Sequence, residues 1–79
     1  MTKNQKEIIK DNLKAFTNNF GDVRIESGYI GFYVFYPSTA DSYIQYCENI
    51  HYLNGWLYGV VQGFHRGEFK TGFETYSKI

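Results

Sequence analysis

The chain lacks a charge excess, and that absence excludes more than any motif it contains. Eight Lys and Arg balance eight Asp and Glu, for a formal net charge of zero over 79 residues. There is thus no general basic field to attract nucleic acid and no acidic mass to imitate it. Cysteine is nearly absent as well. Cys47 stands alone, so no intramolecular disulfide can form and a reducing compartment is expected. No segment approaches the roughly twenty apolar residues that span a bilayer. The opening MTKNQKEIIKDNLK has no apolar run of signal-peptide length. A cytoplasmic protein with no membrane partner is the expectation. Nor is there a Walker loop or a dinucleotide fingerprint, because the glycines recur every fourth residue instead of forming a strand-to-helix turn.

What is abundant is aromatic surface. Eight Tyr, seven Phe and one Trp can each bury about 150–250 Å². That compensates for a length near the lower limit at which one hydrophobic core holds without disulfides or metal. A single small globular domain over residues 1–79 is expected.

The most regular stretch runs from Ser38 to Gly67. Tyr43, Tyr46, Ile50, Leu53, Leu57, Val60 and Phe64 recur at spacings of three and four, which predicts one long helix with these residues facing the core. Ser38 or Thr39 would cap it after Pro37, with Asp41 in its first turn. Gly55, Gly59, Gly63 and Gly67 recur every fourth residue on the opposite side. A competing parse turns the chain at Asn54-Gly55 and makes Trp56 to Phe64 a strand.

Before this stretch, Thr2 and Gln5 form a capping box for a first helix. Its apolar stripe is Ile9, Leu13, Phe16 and Phe20, and Gly21 stops it. Lys3, Lys6, Lys10 and Lys14 are interspersed with Glu7 and Asp11, as on a solvated face. From Asp22 the period changes to two, and Ser27-Gly28 reads as a two-residue turn. Glu26 would then face Tyr29, Ile25 face Ile30, and Val23 face Phe32. One face carries Val23, Ile25, Ile30, Phe32 and Val34 toward the helices. The other carries Asp22, Arg24, Glu26, Tyr29, Tyr33 and Phe35, with Gly31 leaving a gap opposite Arg24. After Gly67, alternation of Phe69, Thr71, Phe73 and Thr75 suggests a third strand. The predicted fold is α+β in the order helix, β-hairpin, long helix and third strand, with both helices packed on one face of a small antiparallel sheet.

Glycine within a helix costs about 1 kcal/mol relative to alanine, so a helix with several needs a reason. Close backbone approach is the usual one. A groove formed by Gly55, Gly59 and Gly63, clasped by Tyr52 and Trp56, would receive either a partner or another element of the same chain, and the sequence weighs these equally. The second candidate surface is the hairpin face with Arg24, Tyr29 and Tyr33, where aromatics beside a cation can also stack single-stranded bases.

Catalytic and metal chemistry find little here. His51 and His65 lie about 21 Å apart on a continuous helix. Cys47 and His51, at i and i+4, supply two ligands where a structural zinc site wants four. As a thiol–imidazole dyad they lack an orienting acid and an oxyanion site. A half-buried structural thiol is the favoured reading of Cys47. No cofactor, metal or catalytic residue is assigned, and the chain is read as a non-enzyme.

The segment Tyr52-Leu53-Asn54-Gly55-Trp56-Leu57-Tyr58-Gly59-Val60-Val61-Gln62 resembles a helix found in small proteins of phages and mobile elements from low-GC Gram-positive bacteria. The Lys-, Asn-, Ile- and Tyr-rich remainder agrees with such a source. Compact proteins of this type include inhibitors of host defence, among them anti-CRISPR proteins, which occupy a functional surface on a larger host complex. The resemblance implies a non-enzymatic protein-binding module acting in the host cytoplasm on a host protein or protein complex. Self-association to a homodimer and, as the alternative function, single-stranded nucleic-acid binding through the aromatic hairpin face remain open. With no net charge, shape and aromatic anchors would carry such binding.

Overall fold

The structure, a computed structural model, describes residues 1–67. It is an α+β fold with elements in the order α1 (Lys3–Phe20), β1 (Arg24–Ser27), β2 (Phe32–Phe35), β3 (Gln45–Cys47) and α2 (Ile50–His65). The three strands form one antiparallel sheet in the order β1-β2-β3.

Helix α1 starts and stops where its sequence dictates. The Thr2 hydroxyl accepts from the Gln5 backbone N–H at 3.1 Å, and the Gln5 side chain accepts from the Thr2 N–H at 3.0 Å. Two of the orphan donors of the first turn are thereby satisfied. At the other end Gly21 takes a φ of 98°, and its N–H returns to the Thr17 carbonyl. A side chain would be strained at that angle, and glycine is not.

The hairpin keeps its predicted faces but not its predicted turn. Arg24 pairs with Phe35, Ile25 with Val34, Glu26 with Tyr33 and Ser27 with Phe32. The connection is therefore the four residues from Gly28 to Gly31, not Ser27-Gly28. Ile30 leaves the inner face for the loop and is 75% exposed. Gly31 does not sit opposite Arg24. It lies against β3, where a Cβ would collide with the Cys47 carbonyl and come within 2.7 Å of the Tyr46 hydroxyl.

The long helix from Ser38 is the principal correction. Residues 36–44 form an irregular loop that opens with a cis Tyr36-Pro37 bond. Gln45, Tyr46 and Cys47 form the third strand, and the helix begins only at Ile50, capped by Asn49, whose side-chain oxygen accepts from the Tyr52 N–H at 2.8 Å. Tyr43 and Tyr46 accordingly lie off the helix, and Cys47 is on β3, an edge strand, with its side chain buried on the inner face of the sheet. The alternative parse of Trp56 to Phe64 as a strand is also excluded, because α2 runs unbroken through Asn54-Gly55. The predicted strand at Phe69 to Thr75 lies outside the described residues.

The core forms between the inner sheet face and the two helices. Phe32 and Val34 of β2 and Cys47 of β3 meet Ile9 and Phe16 of α1 and Ile50, Leu53, Leu57, Val60 and Val61 of α2. Phe16 is fully buried, with ring contacts to Phe20, Tyr36 and Trp56 at centroid distances of 5.1, 6.1 and 5.9 Å. Each such ring contributes apolar burial and a directional contact of about 0.5–1.5 kcal/mol. A polar clasp fixes the helix pair, with the Asn12 amide donating to Asn54 Oδ1 at 2.9 Å. The Tyr36 hydroxyl donates to the Phe20 carbonyl, tying the loop after β2 to the end of α1.

Candidate functional site

The outward face of α2 is the first candidate surface, and its geometry follows from helix periodicity. Leu53, Leu57, Val60 and Val61 are buried on one side. At 100° per residue, Gly55 and Gly59 then fall on the other, flanked by Tyr52 and Trp56 on one edge and by Tyr58 on the opposite edge. A Cβ built at Gly55 or at Gly59 meets nothing within 4 Å. Neither glycine is needed for contacts with α1 or the sheet. Tyr52 and Tyr58 are 50% and 53% exposed. Tyr52, Gly55 and Trp56 line a notch of about 330 Å³, with the indole half-buried against Phe16. Gly63 is buried, so the open stripe consists of Gly55 and Gly59.

Tyr58 was not among the sequence candidates. Its signal was present in its position three residues after Gly55, outside the apolar stripe, where a large ring has no core to enter.

The second candidate surface, the outer face of the sheet, is assembled differently from expectation. Register places Arg24, Glu26, Tyr33 and Phe35 together, and β3 adds Tyr46 beside Tyr33. The Tyr33 ring contacts those of Tyr43 and Tyr46 at centroid distances of 4.8 and 5.0 Å. Tyr43 and Tyr46 are thus the residues that the helix reading hid from this face. Tyr29 is separate from them, fully exposed at the tip of the β1–β2 loop.

Arg24 is committed within the fold. Its Nη1 and Nη2 donate to the carbonyls of Ser38 and Ala40, both at 3.0 Å. Its Nε lies 2.8 Å from Glu26 Oε2, and its guanidinium carbon stands 4.2 Å over the Phe35 ring. A planar fork with several donors suits two carbonyls at once. This arrangement pins the 36–44 loop to β1.

Cys47 and His51 do not form an i, i+4 pair, since they belong to different elements. The Cys47 thiol is fully buried, and desolvation pushes its pKa up to about 11. It stays protonated near neutrality and is a poor nucleophile and metal ligand. His65 is on the helix surface, where its Nε2 lies 3.1 Å from Asn19 Oδ1. Among the described residues no three or more His, Cys, Asp and Glu side chains gather as a metal site. No helix among them is long and apolar enough to cross a membrane.

These features define a small α+β domain whose most accessible large apolar side chains are Tyr29 and Ile30 of the β1–β2 loop, followed by tyrosines on α2 and around the sheet. Comparison with protein-family models, curated proteins and solved structures finds no match for this chain.

Proposed function

We propose that the protein is a non-enzymatic binding module that docks on another protein through the outward face of α2. Its resemblance to small phage and mobile-element proteins suggests the setting, an inhibitor that occludes a functional surface of a host defence complex. One observation carries the reading: two glycines in mid-helix, each costing about 1 kcal/mol, have no packing partner in the fold. What they provide is a path for a partner backbone between Tyr52 and Trp56 on one side and Tyr58 on the other. Tyrosine and tryptophan are also the residue types that dominate interface energies.

Single-stranded nucleic acid on the outer sheet face is the weaker reading. Arg24, the cation of that face, is held by two carbonyls and Glu26, and Tyr33 is packed against two neighbouring rings. A dimer through α2 would use the same open stripe and is distinguished by sedimentation.

The test is affinity capture from a lysate of a low-GC Gram-positive bacterium, before and after nuclease treatment, with wild type, Gly59→Leu and Trp56→Ala side by side. A stoichiometric protein that survives nuclease and is lost with a still-folded Gly59→Leu is the expected result. Recovery of nucleic acid alone, or of proteins indifferent to both substitutions, would overturn the proposal.

A further inference from the structure

On the side of α1 away from α2 lies a concave site that combines a long apolar strip with cations. Between α1 and the sheet runs an open groove of about 580 Å³, within the usual range of small-molecule sites, about 300–1,000 Å³. The sheet order makes β1 the edge strand on this side. The floor is formed by Ile9 and Leu13 from α1 and by Val23 and Ile25 from the sheet side. Ile9 is buried and the other three are half-buried, so these three offer apolar surface to the opening while the core behind them stays closed. Along α1 the groove extends from Lys6 to Asn18, about 18 Å at 1.5 Å per residue.

The helix rim of this groove is cationic. Lys6, Lys10 and Lys14 line it and are exposed, and none of the three is ion-paired with a carboxylate of the described residues. Among the described residues that line it there is no Asp or Glu. Glu7 and Asp11, on the same helix, project about 100° or more away from the Ile9 and Leu13 floor, and Glu26 lies with Arg24 on the other sheet face. Polar side chains gather at one end, where Lys14, Thr17 and Asn18 bring an ammonium, a hydroxyl and an amide, all able to donate hydrogen bonds. The floor leading away from them has no polar side chain.

We infer that the groove binds a free long-chain fatty acid, its carboxylate at the Lys14, Thr17 and Asn18 end and its alkyl chain laid over Val23, Leu13, Ile25 and Ile9 toward Lys6. The length agrees. The hydrocarbon core of a bilayer, about 30 Å thick, is two acyl chains deep, so one chain measures about 15 Å. The methylene stems of Lys6 and Lys10 cover such a chain while their ammonium groups stay in water and attract the anion. A polypeptide strand added to β1 would turn alternate side chains to the other sheet face and could not fill the floor and reach the lysines together. An alkyl chain with one anionic end does both. The inference is independent of the α2 surface, and either can fail without the other.

The probe is laurate, kept below its micelle concentration, titrated into the full chain and followed by methyl and amide chemical shifts. Acetate supplies the head without the tail, dodecyltrimethylammonium the same tail with a cationic head, and phosphatidylglycerol vesicles an anionic bilayer. Expected is one-to-one saturation by laurate, with the methyl shifts centred on Ile9, Leu13, Val23 and Ile25. From octanoate to laurate the affinity should rise about twofold per added methylene, half the free energy of complete burial. Acetate and the cationic amphiphile should not saturate the site. Lys10→Glu with Lys14→Glu should weaken laurate binding by about tenfold, and both positions are exposed, so folding is retained. No saturable response to laurate would overturn the inference. So would equal binding of dodecyltrimethylammonium, undiminished binding by the charge-reversed chain, or a response to the vesicles but not to monomeric laurate, which would mark a membrane-docking face.

Discussion

Arg24 shows how a residue marked for binding can be consumed by folding. Its guanidinium holds two loop carbonyls, one carboxylate and one ring face. The Glu26 ion pair is half exposed and contributes little, whereas hydrogen bonds from a charged donor contribute about 1.5–3 kcal/mol each. Arg24→Ala should lower stability by about 2–3 kcal/mol in denaturant unfolding, and Arg24→Lys should recover only a part, because an ammonium cannot fork two carbonyls. Cys47 makes a second residue-scale prediction. Burial raises its folded pKa to about 11 from an ordinary 9.0, so the unfolded chain releases the thiol proton first as pH rises. Its contribution to stability is therefore intact below pH 9 and declines between about pH 9 and 11. Comparing the unfolding free energies of wild type and Cys47→Ala across that range isolates it from tyrosine ionisation. A slope no steeper for wild type than for the variant would contradict the assignment.

At the scale of elements, the glycines divide into those the fold needs and those it does not. Gly31 meets the Cys47 carbonyl and the Tyr46 ring, so Gly31→Ala must displace β3 and should broaden or abolish cooperative unfolding. Gly55→Ala and Gly59→Ala fill open space and should each raise stability by about 1 kcal/mol, seen as an upward shift in denaturant midpoint. A fall in stability at either would mean the stripe is packed after all. The same elements show what was legible in the sequence. Helix α1 was readable from end to end because Thr2, Gln5 and Gly21 specify its limits locally. The hairpin faces survived a wrong turn because moving from a two-residue to a four-residue connection preserves the parity that assigns side chains to faces. β3 was not readable. Three residues give too short a run for period two to register, and Tyr43 and Tyr46 happen to continue the three-four spacing of Ile50 and Leu53 upstream. Asn49 was the overlooked signal, a good cap immediately before the buried run. The α2 candidates Tyr52, Gly55, Trp56 and Gly59 were legible as positions on a helix. Whether their face was open depended on where α1 packs, which no local pattern encodes.

Over the whole molecule, a core of few residues carries the fold. Phe16 joins α1, α2 and the loop after β2, and truncating such a ring costs about 3–5 kcal/mol. At about 0.05–0.15 kcal/mol per residue a domain of this size has a total stability of about 4–12 kcal/mol. Phe16→Ala should therefore remove a quarter or more of the total stability, a loss of about 3–5 kcal/mol read from denaturant unfolding followed by circular dichroism. The glycine stripe of α2 has the opposite character, since substitutions at Gly55 and Gly59 enter open space and leave the core intact. That contrast allows binding to be separated from folding. The most direct measurement is affinity capture with the Gly55→Ala, Gly59→Ala double variant beside wild type, after thermal unfolding of both. The account predicts a more stable protein that captures its partner markedly less well. Increased stability with undiminished capture would contradict a docking role for the glycine face.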